Sequence, residues 1–402
     1  MYVKEGIELM SKNVALEEIV NKEKYSENKN LTKEFLKEAL YAALKKVDRL
    51  IADMNGDFPD HASENNVYLP VKNDKGWNTG FWCGILWLSY EATGDEKYRN
   101  AAENLLESFY IRIDEKLGTD THDLGFIYVP SCVAAYKLTG NERAKEAAIK
   151  AADHLMTRYH EEGEYIQAWG KMGEQLRLIV DCMNNLPLLY WASEVTGDKK
   201  YFDVAYNHAK TTINFIVRED ASTFHTYFFN PDGTPDRGTT AQGVSDDSCW
   251  ARGQAWLISG LPLSYKYTKD CDMPPLFEKV TNYFLNRLPE DYIPYWDLTF
   301  VSGDEERDSS AAAIALCGML EMLSNMNDND PNKELYKNAI EHITYSLYNN
   351  YSTKDTEESN GLLLHAVYAK PFNNGIDECN IWGCYYYMEA LVRMIKGTKA
   401  YW

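Results

Sequence analysis

Read for hydrophobicity alone, the chain alternates between two kinds of helical run. One kind is apolar on nearly every side. Such a run opens at Thr79-Gly80-Phe81-Trp82 and stops at Thr93-Gly94-Asp95. Others open at His122-Asp123-Leu124-Gly125-Phe126, at Asp181 within 177–192, at Trp250-Ala251-Arg252, at Arg307-Asp308-Ser309 and at 378–382. They stop at Thr139-Gly140-Asn141, at Thr196-Gly197-Asp198, near Thr268, near Asn325 and at Lys396-Gly397. Gly just past a periodic apolar run is a helix stop. The second kind has an apolar stripe and a charged face, as in a helix with one side in water. It occupies 35–54, 98–110, 144–159, 201–217, 275–288 and 335–348.

Self-similarity at a long period marks a repeat architecture. Helices apolar all round belong inside and amphipathic ones outside. About six alternations close most economically as an inner ring of helices within an outer ring, an all-α (α/α)6 barrel. Asp123, Asp181 and Arg252 each fall 15 or 16 residues before the stop of their own run. Residues in one phase, at the starts of inner helices, are expected to meet at one mouth. No Ser/Gly-rich or Pro-rich linker divides the chain, so residues 1–402 read as a single catalytic domain. Residues 1–30 are expected to be a peripheral extension, a helix plus a polar connection. Thr32 is the expected cap of the first amphipathic helix. The loop 56–78 is long, polar and aromatic, and such loops are often functional.

Composition narrows the function. The hydrophobic fraction of 45% suffices for a large core, and ten Trp and 29 Tyr serve either packing or sugar stacking. A net charge of −20 argues against nucleic acid and anionic membrane surfaces as partners. An anionic small substrate would then need local cations. The first 20 residues lack the pattern of a secretory signal, and no apolar run is long enough to span a membrane. The eight Cys include no CxxC and fall mostly in apolar runs, which reads as a reduced, cytoplasmic protein. A monomer or weak homodimer is expected.

Several residues carry candidate chemistry, each beside a plainer reading. Asp181 stands alone among Ile179, Val180, Cys182 and Met183, and a charge is rarely buried without a partner or a purpose. Asp123 would otherwise only cap its helix. The His122-Asp123 pair resembles half of a metal site, but no spaced His or Cys partners accompany it, so no metal is expected. Trp169 fits either the core or a sugar platform. His225, in a loop ahead of the turn Asp232-Gly233-Thr234-Pro235, would ordinarily be exposed and idle. Gln242, Ser245, Asp246, Asp247, Arg252 and Gln254 crowd together with Trp250 and Trp256. Arg252 either awaits an anion or pairs with Asp246, Asp247 or another inner-helix acid.

Asp123 and Asp181 lie on successive inner segments, and packed helices sit about 8–10 Å apart. Two carboxylates sharing a low-dielectric cleft push their pKa values apart, so one keeps its proton near neutral pH. That is the requirement for acid catalysis on a sugar. Whether such chemistry inverts or retains depends on the carboxylate separation.

Four motifs in one order, THDLGF, IVDCMNNLPLLYWA, WARGQAW and IWGCYYYMEAL, resemble the unsaturated glucuronyl hydrolases of glycoside hydrolase family 88. The resemblance runs from about Trp77 to the end of the chain and implies the same (α/α)6 barrel. It implies substrates ending in a 4,5-unsaturated uronic acid, such as lyase products of chondroitin and hyaluronan. It implies hydration of the enol ether, with Asp181 as general acid/base and Asp123 positioning substrate and keeping Asp181 protonated. Trp77, His122, Trp169, His225, Gln242, Arg252 and Trp256 match pocket positions. No metal or organic cofactor is implied. Cys384 stands where most relatives are expected to carry an acid. The loop 377–380 has no basic residue for a sulfate, so weak use of sulfated substrates is expected. The alternatives are an unsaturated rhamnogalacturonyl hydrolase, an α/α-barrel sugar epimerase, for which His122 and His225 are present but His partners at the other inner-helix starts are absent, and an inactive carbohydrate-binding relative.

Overall fold

The computed structural model describes residues 13–402. Among these residues, twelve helical segments form two concentric rings. The outer ring is α1 (Lys33–Met54), α3 (Glu96–Asp114), α6 (Glu142–Met156), α8 (Lys199–Ile216), α10 (Met273–Asn286) and α12 (Lys333–Ser346). The inner ring begins with α2 (Thr79–Thr93). Next comes a segment built from α4 (Leu124–Tyr128), a wide π turn and α5 (Ala134–Thr139). It continues through α7 (Pro187–Thr196), α9 (Ala251–Thr268), α11 (Ser309–Leu323) and α13 (Ile381–Lys396). Neighbours pack in chain order, and α13 returns against α2 to close the ring.

The burial explains the alternation. Residues 309–317 of α11 are all buried, whereas α6 buries Ala144, Ala147, Ala148, Ala151, Ala152 and Leu155 as one stripe. The Thr-Gly stops behave as expected: Gly94, Gly140 and Gly197 take left-handed backbone at φ of 72°, 71° and 74°. Inner segments approach closely through glycine. A Cβ on Gly125 would lie 2.3 Å from the Asn185 Cα, so only glycine fits there. The far end of the ring is closed by Trp402. Its ring stacks on Tyr386, meets Phe126 edge-on, and donates from Nε1 to Glu389 Oε2 at 2.8 Å.

Two expectations are corrected. No α-helix forms over residues 13–30, which are irregular apart from a 3-10 turn at Lys22–Tyr25. The reason is tertiary: Glu17 grips Arg287 at 2.9 Å and Tyr25 donates to Leu285 O at 2.9 Å. The segment thus satisfies many of its polar groups on α10, the residues that follow it and α12, rather than in an α-helix of its own. Residues 1–12 lie outside the described residues. The cap at Thr32 forms, accepting from Phe35 N at 3.1 Å. The third inner helix also starts later than its apolar run. Arg177–Ile179 is a strand, Val180–Asn184 a 3-10 turn, and α7 begins only at Pro187, whose missing N–H suits a first helical position. Short antiparallel strands decorate the loops, notably Arg177–Ile179, Thr226–Phe229 and Pro235–Thr239 as one sheet, and the hairpin Ala366–Ala369 with Asn374–Glu378. No helix among the described residues is long and apolar enough to cross a membrane. Seven of the eight Cys are buried, Cys271 alone being exposed, and none is in a disulfide.

Candidate active site

The phased residues do meet. A cavity with about 410 Å³ of empty space opens at the N-terminal end of the inner ring. Its walls include Asp123, Asp181, Arg252, Gln242 and His225, with Trp77, Trp169 and Trp256 as aromatic faces. Trp250 and Tyr368 complete it.

Asp123 stands at the head of α4, yet its carboxylate makes no cap bond. Instead its Oδ2 accepts from Thr121 Oγ1 at 2.5 Å. Asp181 sits on the 3-10 turn before α7, with its side chain 14% exposed. Burial raises its pKa to about 7, and the neighbouring Asp123 adds to the rise, against the cations of His122 and Arg252. Asn184 and Asn185 hold that turn between its neighbours. Asn184 Nδ2 donates to Trp256 O at 2.7 Å, and Asn185 Oδ1 accepts from Phe126 N at 2.7 Å.

His122 does not line the cavity. It is fully buried beneath the floor, with Nε2 3.2 Å from Asp123 Oδ1 and 3.4 Å from Asp181 Oδ1. His225 does line it and is far from idle. Burial pushes its pKa down to about 3, and Nδ1 accepts from Ala241 N at 3.0 Å, so the neutral ring carries its proton on Nε2. Arg252 meets both of its readings. It faces the cavity, and it pairs with an inner-helix acid, Asp308, at 3.4 Å rather than with Asp246 or Asp247. It also donates to Val367 O, to Tyr368 O at 2.7 Å and to Gln242 Oε1 at 2.8 Å. Its guanidinium lies over Trp250 at 4.4 Å and Trp382 at 5.0 Å.

Trp77 donates from Nε1 to the Tyr368 hydroxyl at 3.3 Å, and Arg177 lies 4.8 Å over Trp169. Tyr368 and Trp250 are the wall residues that sequence reasoning missed. Trp250 directly precedes the phased Ala251-Arg252 and was within reach of the repeat. Tyr368 belongs to the hairpin before α13, where no periodicity marks it. Cys384 is buried outside the cavity wall, accepting from Leu362 N at 3.4 Å. Its difference from the expected acid therefore falls on a loop contact and not on the mouth.

Known proteins place this architecture. The family model described as Glycosyl Hydrolase Family 88 matches residues 50–398. An unsaturated chondroitin disaccharide hydrolase of Streptococcus pneumoniae is 46% identical over 98% of this chain and 100% of its own length. An unsaturated glucuronyl hydrolase of Bacillus sp. is 40% identical over 86% of this chain and 93% of its own. The crystal structure of the unsaturated glucuronyl hydrolase of Streptococcus agalactiae superposes with a TM-score of 0.95, at 47% identity, covering 97% of this chain and 99% of that one. Sequence and shape agree over almost the full length, and the chain belongs to Glycosyl Hydrolase Family 88.

Proposed function

We propose that the protein hydrolyses oligosaccharides with an unsaturated glucuronyl residue at the non-reducing end, including unsaturated chondroitin and hyaluronan disaccharides. One observation carries this reading: a buried carboxyl at Asp181 that keeps its proton up to about pH 7, beside Asp123 in an aromatic-walled cavity. Asp181 donates its proton to C4 of the enol ether. The double-bond electrons form the C4–H bond, and positive charge spreads over C5 and the ring oxygen. Water adds at C5 and returns a proton to Asp181. The resulting hemiketal opens to a C5 ketone with a hemiacetal at C1, which expels the second sugar.

Arg252 faces the uronate carboxylate, Asp123 orients the sugar hydroxyls, and His225 offers its Nε2 proton. Trp77, Trp169 and Trp256 provide ring faces for stacking. Proton transfer and a positioned water suffice, so the reading assigns no metal or organic cofactor. The buried free thiols fit a reducing cytoplasm, and a monomer or weak homodimer is the assembly we expect.

The leaving sugar's sulfate is the finer point. A substituted form of the Streptococcus agalactiae enzyme was crystallised with dGlcA-GalNAc6S. In this chain the only basic residue of the hairpin 366–378 is Lys370, and it is held by Glu305 at 2.5 Å and by Glu306. A neighbouring cavity is lined by Asp60, Glu64 and Glu378. We therefore place unsulfated disaccharides ahead of 6-sulfated ones. The test follows loss of ultraviolet absorbance across unsulfated, 6-sulfated and rhamnogalacturonan-derived unsaturated disaccharides. The unsulfated glucuronyl substrate should turn over fastest, and Asp181→Asn should slow it about 10³-fold or more. No turnover of any glucuronyl substrate rejects the function. Preference for the rhamnogalacturonan fragment supports the sister activity.

A further inference from the structure

His122 has no task in that mechanism. It is wholly buried, and neither ring nitrogen makes a well-formed hydrogen bond. It cannot touch substrate. Yet a single nitrogen, Nε2, faces Oδ1 of both catalytic-site acids, at 3.2 and 3.4 Å. The other oxygens are disposed differently. Asp123 Oδ2 is occupied by Thr121. Asp181 Oδ1 is shut off from solvent while the side chain as a whole is 14% exposed, so the opposite side of that carboxyl looks into the cavity.

We propose that His122 is a positioning residue: an imidazolium that pins Oδ1 of Asp123 and of Asp181, and so leaves Asp181 Oδ2 as the oxygen that delivers the proton. This rests on Asp181 being the proton donor. The surroundings leave His122 to set the local charge. Cys182, His208 and His225 face it, and burial keeps the thiol protonated and both histidines neutral, with their pKa values down to about 3. Arg112 and Arg158 also act on Asp123, Arg252 acts on Asp181, and Tyr368 lies near both acids. Burial works against a charged His122, but Asp123, joined by Asp181 whenever that acid is ionised, outweighs it and raises its pKa well above the ordinary histidine range.

A cation 3.4 Å from Asp181 favours the carboxylate form. Removing it must therefore raise the Asp181 pKa, and the protonated acid then survives to higher pH. The experiment compares the pH profile of kcat for wild type, His122→Asn, His122→Gln and Asp181→Asn on an unsaturated glucuronyl disaccharide. In both His122 variants the alkaline limb should move up by about one pH unit or more, with kcat at the optimum lowered about tenfold. A lowered kcat on an unmoved limb is a merely structural effect and overturns the assignment. Asp181→Asn separates the premise from the proposal, since turnover retained there sinks the donor itself. If neither His122 variant folds, nitrogen-15 histidine spectra of the wild type decide. At about pH 7.5, where an ordinary histidine is neutral, a ring protonated on both nitrogens, and losing that proton at lower pH in Asp123→Asn, is the expected signature. A ring already neutral at that pH overturns the proposal.

Discussion

Asp181 shows how one residue is made reactive at a cost to the fold. Its pKa in the folded protein, about 7, lies above the ordinary carboxyl value of 3.8 that it regains on unfolding. Between those values the folded state binds more protons than the unfolded state, so stability is full below about pH 4 and declines as pH rises towards 7. Asp181→Asn removes the titration and keeps the shape. It should abolish turnover while leaving the unfolding free energy at pH 7.5 equal to wild type or higher by about 1 kcal/mol or more. Chemical denaturation at pH 5 and 7.5 checks this, since the difference should grow with pH. A variant less stable than wild type at both values contradicts the buried-acid account. The sequence exposed this residue because it is the sole charge in an apolar run. It exposed His225 poorly, because a His in a loop carries no sign of being buried against Trp250, 4.4 Å away between ring centres.

At the scale of elements, the site is a product of how closely inner segments approach. Phe126 N–H is satisfied by Asn185, and Gly125 packs directly on the Asn185 backbone. Asp123 and Asp181 therefore ride on two segments locked at one contact. Gly125→Ala would force a Cβ to within 2.3 Å of the Asn185 Cα. It should cost about 1–3 kcal/mol or more by overpacking and lower kcat at least about tenfold, because the carboxylates move with the segments. Gly94→Ala is the control. That glycine has left-handed backbone but nothing within 4 Å, so it should cost about 1 kcal/mol and leave kcat alone. Equal effects on kcat would show that the contact does not set the site. Period and stop signals made the two rings legible. They could not reveal the hairpin carrying Tyr368, whose strands pair with each other and follow no helical phase. Nor could they reveal that residues 13–30 would trade helical hydrogen bonds for contacts with α10.

The whole molecule presents a paradox of charge. It carries a net −20, yet the proposed substrate is an anion. Arg252, the cation in the cavity wall, already shares its charge with Asp308. Inside the cavity, low dielectric and short distance let Arg252 dominate once the sugar is seated. Outside it, the summed negative field opposes approach over distances comparable to the Debye length, about 10 Å at 0.1 M salt. The two regions respond differently to ions. Raising ionic strength from about 20 to about 200 mM should increase kcat/KM two- to fivefold by screening the approach, and should leave kcat nearly unchanged because the buried contacts are not screened. The rise should be steeper for a 6-sulfated disaccharide, which carries more negative charge past Asp60, Glu64 and Glu378. A kcat/KM that falls with salt would mean that local cations govern capture, and the long-range field would then play no part in the choice of substrate.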